Sequence, residues 1–314
     1  MRFVIVGAGA VGGTLGARLI AAGRDVALVA RGEHGAAIRR HGLRLDAPDG
    51  SLVVTATVHD RIDDVAWRGD DVVLLCVKTH QAADALRDLA RRTAAPIACL
   101  TNGLETERLA LRSFADVHAV CVYTPATHLE PGVVQQWSSP LRGILDVGRY
   151  PRGTTPLDTT LAEAFTAAGF AAEPRDDIMA HKRTKLLSNL SNALDAMLGE
   201  GGRDHPLVDA AQREAIAVYD AAGLSRVGSI EDDPRRKRMP RGEIVGARRA
   251  GGSTWQSVAR GARELETDYL NGEIALLGRL HGVPTPINVK LQRLAAAFAA
   301  AGRAPGSLDP AELD

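Results

Sequence analysis

Hydrophobic and polar positions follow two alternating periods in the first half of the chain. Short runs rich in Val, Ile and Leu are each followed by a segment in which apolar residues recur every three or four positions. This alternation is typical of a parallel sheet with helices on both faces. The predicted strands are Arg2–Val6, Asp25–Ala30, Asp71–Val77, Pro96–Leu100 and Val117–Tyr123, and the predicted helices are Val11–Ala22, Gln81–Arg92 and Glu105–Leu111.

Two further strands, Gly132–Gln136 and Gly143–Val147, follow these elements. The turn around Glu130, Pro131 and Gly132 is short enough for a hairpin, which favours antiparallel pairing. We therefore expect a sheet that is mixed at one edge.

The pattern changes from about Asp176, where the β-branched runs end and apolar residues take up helical spacing. The fold class predicted is α/β, with an N-terminal Rossmann-type dinucleotide-binding domain at 1–175 and an all-helical C-terminal domain at 176–314. The helices predicted in the second domain are Asp177–Leu198, Ala262–His281 and Ile287–Ala301, and the chain after Gly302 is expected to be loose.

Composition narrows the class of protein. A chain of 314 residues is long enough for about two domains of typical size. Lys plus Arg and Asp plus Glu both total 38, so the formal net charge is +0, unlike that of a dedicated nucleic-acid binder. The longest uncharged stretch, Phe3–Ala17, is too short for a membrane span of about 20 residues. Cys76, Cys99 and Cys121 lie in apolar strand-like segments, which suits the reduced thiols of a cytoplasmic protein.

A glycine-rich turn directly follows the first predicted strand. Gly7, Gly9 and Gly12, with Ala10 and Val11 between the last two, form the G-x-G-x-x-G pattern in its strand-to-helix context. The first glycine permits the tight turn, the second lets a pyrophosphate approach the backbone, and the third allows the helix to pack on the strand. The free N–H groups of the helix N-terminus then face the phosphates. These five residues are the predicted cofactor loop.

The end of the second strand indicates which dinucleotide is bound. An acidic residue there would hold the ribose 2′-hydroxyl of NAD, whereas an arginine accommodates a 2′-phosphate. Arg31 occupies this position, about 20 residues beyond the last glycine. The sequence therefore favours NADPH, although Glu33 keeps NAD as an alternative.

A polar stripe lies on the helix predicted to open the second domain. Lys185, Asn189 and Asn192 fall at i, i+4 and i+7, while leucines cover the rest of the helix. Exposure to solvent would explain a lone lysine on this helix. Asparagine has poor helix propensity, so the presence of two asparagines favours a binding or catalytic site instead.

Several segments together resemble the ketopantoate reductase family (2-dehydropantoate 2-reductase), and the resemblance extends over essentially the whole chain. The segments that carry it are Gly7, Gly9 and Gly12, then Val77–Thr79, Thr101–Gly103, Thr124–Gly132, Gly143–Gly148, Lys185, Leu186 and Asn189, then Glu266, Asp268, Asn271 and Gly272, and finally Gly282, Pro284 and Pro286.

The resemblance implies a role for each matching residue. Lys185 would be the general acid and Glu266 the substrate-binding carboxylate of the catalytic pair, with Asn102 and Asn189 as polar contacts of substrate or nicotinamide. Lys78 would lie at the cofactor cleft, and Arg31 would contact the 2′-phosphate.

Two departures from the family pattern fall in the expected substrate pocket. The family's second asparagine, eight residues after the lysine, is Ala193 here, and Asn192 comes one residue earlier. The family's serine falls on Thr254, with Ser253 beside it. Asn192, Ser253 and Thr254 join Asn102 and Asn189 as predicted substrate-binding residues, and the departures leave the identity of the substrate open.

The function implied is NADPH-dependent reduction of a 2-keto acid, 2-dehydropantoate to pantoate, in pantothenate biosynthesis. The alternatives are a related NAD(P)H-dependent two-domain reductase for another oxo acid, an imine or a polyol phosphate, and a nonenzymatic NADPH-sensing module. A sensor would have no reason to keep Lys185, Asn189 and Glu266 together.

The expected partner is a small-molecule substrate, with no nucleic acid, membrane or metal, and the sequence leaves a homodimer open. The nine histidines show no ligand spacing. The basic run from Arg235 to Arg238, with Arg241, follows acidic residues and has no interleaved aromatics, so we interpret it as a solvated loop or a mobile cover of the site.

Overall fold

The computed structural model describes residues 1–248 and 251–313, which fall into two compact units. The first unit comprises residues 1–101, 105–179 and 229–248, and the second comprises residues 102–104, 180–228 and 251–313. The domain boundary between residues 175 and 176 stays a prediction. Within the described ranges, no helix is long and apolar enough to cross a membrane.

A seven-stranded sheet forms the centre of the first unit, with strand order β11-β8-β7-β6-β1-β2-β5. All neighbouring strands are parallel except β11, which runs antiparallel to β8 at the edge. The sheet that the sequence predicts, mixed at one edge, is thus confirmed. Its strands are β1 (Arg2–Val6), β2 (Val26–Val29), β5 (Thr57–His59), β6 (Asp71–Leu75), β7 (Ile97–Cys99), β8 (Val117–Tyr123) and β11 (Ile144–Arg149).

Strand β1 shows why these residues form a doubly covered sheet. Phe3 and Ile5 belong to one buried cluster, whereas Val4 and Val6 belong to another. Successive strand residues point to opposite faces, so a fully apolar run is buried on both. Helices cover the sheet in this unit: α1 (Ala10–Ala21), α2 (Gly32–His41), α3 (Thr79–Ala90), α4 (Glu105–Ala110) and α5 (Pro156–Ala167).

A second, four-stranded sheet was not indicated by the hydrophobic pattern. Its order is β4-β3-β10-β9, formed by β3 (Leu43–Ala47), β4 (Gly50–Val54), β9 (Ala126–Thr127) and β10 (Val133–Gln136). The turn at Glu130–Gly132 does make a hairpin, but it joins β10 to β9. Both segments predicted as antiparallel strands have an antiparallel neighbour, although they lie in different sheets: β10 pairs with β9, and β11 pairs with β8.

The basic run belongs to the first unit, and one of its arginines pairs with a buried aspartate of that unit. Pro234–Arg238 forms a 3-10 turn, and the Arg235 guanidinium donates to both carboxylate oxygens of Asp146, a buried residue of β11, at 2.7 and 2.8 Å. Asp233 also accepts from Arg235, and these carboxylates raise the pKa of Arg235. The expectation of a solvated loop or mobile cover is therefore wrong for Arg235, whereas Lys237 and Arg238 are exposed.

The second unit is helical, as the sequence predicts, and its core includes a cluster that contains Leu186, Leu194, Ile274 and Leu291. Its helices are α6 (Ile178–Asn189, which enters the unit at Ala180), α7 (Asn192–Leu198), α8 (Pro206–Ala221), α9 (Ser253–Ala259), α10 (Asn271–His281) and α11 (Pro286–Ala300).

Two predicted helices were too long. The helix expected over Asp177–Leu198 is interrupted at Leu190 and Ser191. Ser188 Oγ donates to the Lys185 carbonyl at 2.7 Å, and Ser191 Oγ donates to the Ser188 carbonyl at 2.9 Å. Serine hydroxyls that bond nearby carbonyls compete with the helical ladder, which explains the break.

The helix expected over Ala262–His281 begins only at Asn271, and a 3-10 turn, Glu266–Tyr269, precedes it. The chain after Gly302 is also better fixed than expected. Leu308 and Leu313 are buried, and the Leu308 N–H donates to the Met197 carbonyl at 2.9 Å.

Candidate active site

The glycine loop has the shape that a dinucleotide pyrophosphate requires. Gly7 has φ +97°, which disfavours any side chain. A Cβ on Gly12 would overlap the Gly7 carbonyl oxygen and lie 2.8 Å from Cys76 Cβ, so this glycine permits close packing of α1 on the sheet. A Cβ on Gly9 would meet nothing within 4 Å, which leaves its backbone open to a ligand. The loop therefore fits the phosphates of a dinucleotide.

The start of α1 supplies the matching electrostatics. Gly9 is the N-cap and has no side chain that could occupy the free N–H groups of the helix. Ala10 and Val11 open the first turn, which contains no acidic residue. The N–H groups and the positive end of the helix dipole thus make this helix N-terminus suitable for binding an anion.

Arg31 and Lys78 lie after the strands that flank β1. Arg31 follows β2 and caps α2, and Lys78 follows β6 and caps α3. The carboxyl ends of parallel strands meet at one edge, and ligands bind there where the strand order reverses, as it does around β1. The Arg31 side chain is exposed and has no hydrogen bond or ion pair within residues 1–248 and 251–313. It is free to receive an anion.

A histidine that sequence analysis did not assign holds the glycine loop. The Gly132 N–H donates to His34 Nδ1 at 2.9 Å, so the proton lies on Nε2, which donates to the Ala8 carbonyl at 2.8 Å. The His128 ring lies 4.1 Å away between ring centroids. Burial lowers the pKa of His34, although the bond to the Ala8 carbonyl opposes this.

This arrangement predicts that acid destabilises the first unit. Because the folded pKa lies below the unfolded value of about 6.5, the stability that neutral His34 contributes is present above that value and is lost as the pH falls below it. We expect the melting temperature of His34→Ala to lie below that of the parent at pH 7.5 and to fall less on acidification. Thermal unfolding from pH 7.5 to 5 measures both.

His41, an exposed residue of the same helix, provides the control. His41→Ala should follow the parent at every pH. Parallel loss of stability in His34→Ala and the parent would remove His34 as the source of the acid sensitivity.

The predicted catalytic lysine lies in the second unit with one predicted substrate residue. Lys185 on α6 is 8% exposed, and its Nζ donates to Asn102 Oδ1 at 2.6 Å. Asn102 belongs to the short segment 102–104 of this unit. The hydrogen bond from the buried ammonium to the amide oxygen orients Lys185 Nζ, which carries three protons.

The other predicted residues of this unit occupy distinct environments. Asn189 lies one turn beyond Lys185, and its Oδ1 is buried without a partner among the described residues. Glu266 is buried at the first position of the 3-10 turn. Ser253 and Thr254 open α9.

Asn192 does not continue the stripe of Lys185 and Asn189, because the break in the helix precedes it. The single-helix stripe expected from the sequence is therefore wrong. Asn192 is buried at the start of α7, where its Oδ1 accepts from Arg203 Nη2 at 3.4 Å. Arg203 and its partner Asp195 were not singled out from the sequence.

Within the described ranges, no group of three or more His, Cys, Asp or Glu side chains is arranged to hold a metal ion.

Comparisons with known proteins identify the family. The model described as "Ketopantoate reductase PanE/ApbA" matches residues 3–151, and its C-terminal counterpart matches residues 177–299. A 2-dehydropantoate 2-reductase of Halobacterium salinarum is 30% identical over 91% of this chain and 95% of its own. The chain belongs to the ketopantoate reductase family. It is therefore an oxidoreductase of the class that acts on CH–OH groups.

Further relatives of this family member support the same assignment. A 2-dehydropantoate 2-reductase of Pyrococcus horikoshii is 27% identical over 94% of this chain and 96% of its own. The crystal structure of a ketopantoate reductase from Ralstonia eutropha has a TM-score of 0.79 and 32% identity, over 96% of this chain and 99% of that one.

A D-mandelate dehydrogenase complex with NADH shares the fold, with a TM-score of 0.79 at 22% identity over 96% of this chain and 99% of that one. The fold class predicted from the sequence, a Rossmann-type domain with a helical C-terminal domain, is thus confirmed, and a nicotinamide dinucleotide is the cofactor of the family.

Proposed function

We propose that this protein reduces 2-dehydropantoate to pantoate with NADPH. The observation that carries the proposal is the buried Lys185 ammonium, 2.6 Å from Asn102 Oδ1, in a chain whose family reduces ketopantoate. The family relatives are named for this reaction.

The cofactor assignment rests on the first unit. Gly7, Gly9 and Gly12 accommodate the pyrophosphate, and the free guanidinium of Arg31 suits a 2′-phosphate through charge-assisted, bidentate hydrogen bonds. Bound NADPH supplies the hydride from its nicotinamide.

Lys185 supplies the proton. A ketone carbon that accepts hydride leaves negative charge on its oxygen, which a positioned ammonium stabilises as it develops. Nζ then gives that oxygen a proton, which completes the alcohol. Asn102 keeps Nζ oriented through its amide oxygen. Lys185 is 8% exposed, so the proton donor is largely withdrawn from water.

Glu266 and the unpartnered amide oxygen of Asn189 serve the substrate. A carboxylate accepts a hydrogen bond from a substrate hydroxyl, and the buried Asn189 Oδ1 has unused capacity to accept another. 2-Dehydropantoate carries a hydroxyl in addition to its keto and carboxylate groups. Glu266 and Asn189 therefore favour a hydroxylated 2-keto acid over one without a hydroxyl.

The test is a steady-state assay of nicotinamide oxidation with NADPH and with NADH. The substrates are 2-dehydropantoate, its analogue without the hydroxyl, pyruvate and phenylglyoxylate. We expect the highest kcat/KM for 2-dehydropantoate with NADPH. A higher value for another acid would reassign the substrate, and NADPH binding without turnover of any would favour the sensing module.

A further inference from the structure

Two hydroxyls at the start of α9 are buried with their hydrogen-bonding capacity unused. Thr254 is 2% exposed, and neither Thr254 Oγ1 nor Ser253 Oγ has a hydrogen-bond partner among the described residues. Buried polar atoms are nearly always paired in folded proteins, so unpaired ones need an explanation. A ligand atom that completes the bonding provides one.

The backbone before these hydroxyls is fixed by a carboxylate. Gly252 caps α9, and its N–H donates to Asp195 Oδ2 at 2.8 Å. A Cβ on residue 252 would lie 2.7 Å from that oxygen and would overlap Arg203 Nη2. A side chain at residue 252 would therefore require the Asp195 carboxylate and the Arg203 guanidinium to shift.

Asp195 is itself held by a bidentate arginine. Arg203 Nε donates to Oδ1 and Nη2 donates to Oδ2, both at 3.0 Å. This geometry is the strong, directional form of a charge-assisted hydrogen bond. The Asp195 side chain is 12% exposed, so its charge is largely shielded from water.

The same guanidinium reaches the break that follows α6. Arg203 Nη1 lies 3.4 Å from Ser191 Oγ, and Nη2 lies 3.4 Å from Asn192 Oδ1. We call Asp195, Arg203 and Gly252 the α9 clamp. It connects the end of the helix that carries Lys185 to the start of the helix that carries Ser253 and Thr254.

We propose that Asp195 and Arg203 are positioning residues that set the affinity for the 2-keto acid by aiming the hydroxyls of Ser253 and Thr254 at its polar groups. The inference rests on the proposed function and deepens it. The Asp195 oxygens are already bonded to Gly252 and Arg203, so Asp195 acts through the backbone. A hydroxyl both donates and accepts, which suits a substrate carboxylate or hydroxyl.

The first experiment replaces Asp195 with Asn, which keeps the size of the side chain and removes the charge that the arginine fork requires. We expect the KM for the 2-keto acid to rise about tenfold, with kcat within about threefold of the parent and the NADPH Kd unchanged. Asp220→Asn is the matched control, because Asp220 pairs with Arg226 on the surface of the same unit.

A double-mutant cycle separates positioning from general support of the fold. In a Ser253→Ala, Thr254→Val background, Asp195→Asn should raise KM by less than about twofold, because the hydroxyls through which it acts are gone. A second full tenfold increase would overturn the proposal. If Asp195→Asn does not fold, Arg203→Lys takes its place, because lysine keeps the positive charge but cannot form the two parallel hydrogen bonds. It should raise KM about threefold in the parent, and this increase should disappear in the Ser253→Ala, Thr254→Val background.

The two hypotheses fail in different ways. A parent enzyme that turns over no 2-keto acid contradicts the proposed function, and the clamp proposal falls with it. An active parent whose KM changes by less than twofold in Asp195→Asn overturns the clamp alone.

Discussion

Replacing Lys185 with alanine is expected to lower kcat for the 2-keto acid by about 10²- to 10⁴-fold, the contribution of a general acid. The loss corresponds to roughly 3 to 5 kcal/mol in the activation free energy. In the proposed mechanism, Nζ, which donates to Asn102 Oδ1 at 2.6 Å, both stabilises the charge on the reacting oxygen and protonates it. NADPH binding should survive, because the glycine loop and Arg31 belong to the first unit.

The controls address charge, geometry and folding. Lys185→Arg should rescue little, because guanidinium remains protonated and is shaped for a planar fork. Lys237→Ala removes an exposed lysine and should leave kcat unchanged. The measurement is steady-state kinetics, accompanied by melting temperatures. A folded Lys185→Ala enzyme within a few-fold of parental turnover would exclude Lys185 as the proton donor.

The glycine loop was predictable because each of its requirements is local. Gly7 needs positive φ, and Gly12 needs to approach the Gly7 carbonyl, which is five residues away. Both requirements are satisfied within one strand, one turn and one helix, so a short motif in that context identifies them. The doubly buried strands were predictable for a similar reason, because burial on both faces demands continuous apolar runs.

The break between α6 and α7 was not predictable from hydrophobic spacing. Leu186, Leu190 and Leu194 keep helical spacing through it, and all three are buried. The apolar pattern records which residues face the core, whereas the break arises from two serine hydroxyls that bond backbone carbonyls. A polar competition of this kind leaves the hydrophobic period unchanged.

Long-range pairings account for the other elements that the sequence did not indicate. Strand β10 pairs in parallel with β3, which lies far from it along the chain, and nothing in either short strand specifies the other. The α9 clamp depends on the same kind of contact, since Asp195 and Gly252 are 57 residues apart. Neither residue stands out in the sequence, because aspartates on short helices and glycines in loops are common. Their contact becomes visible only in the folded chain.

Arg31→Ala is expected to weaken NADPH binding about 10- to 150-fold while NADH changes by less than about twofold. A charge-assisted hydrogen bond to the 2′-phosphate is worth roughly 1.5 to 3 kcal/mol, and each 1.4 kcal/mol is about tenfold in Kd. NADH lacks that phosphate, so removing the Arg31 side chain removes no hydrogen bond to it and its Kd should hardly change. Titration of the parent and of Arg31→Ala with both cofactors, followed by nicotinamide fluorescence, gives the four dissociation constants.

Arg40→Ala is the matched control for this comparison. Arg40 is exposed on the same helix, α2, and its Nε donates to the Ala36 carbonyl of the preceding turn. Its removal lowers the positive charge of the protein by the same amount, so a general electrostatic effect on NADPH would appear in both variants. A loss specific to Arg31→Ala and specific to NADPH locates the 2′-phosphate at the end of β2. An equal loss for NADPH and NADH would instead make Arg31 a structural residue of that loop, and NAD would again be the better candidate, with Glu33 close enough to hold the ribose.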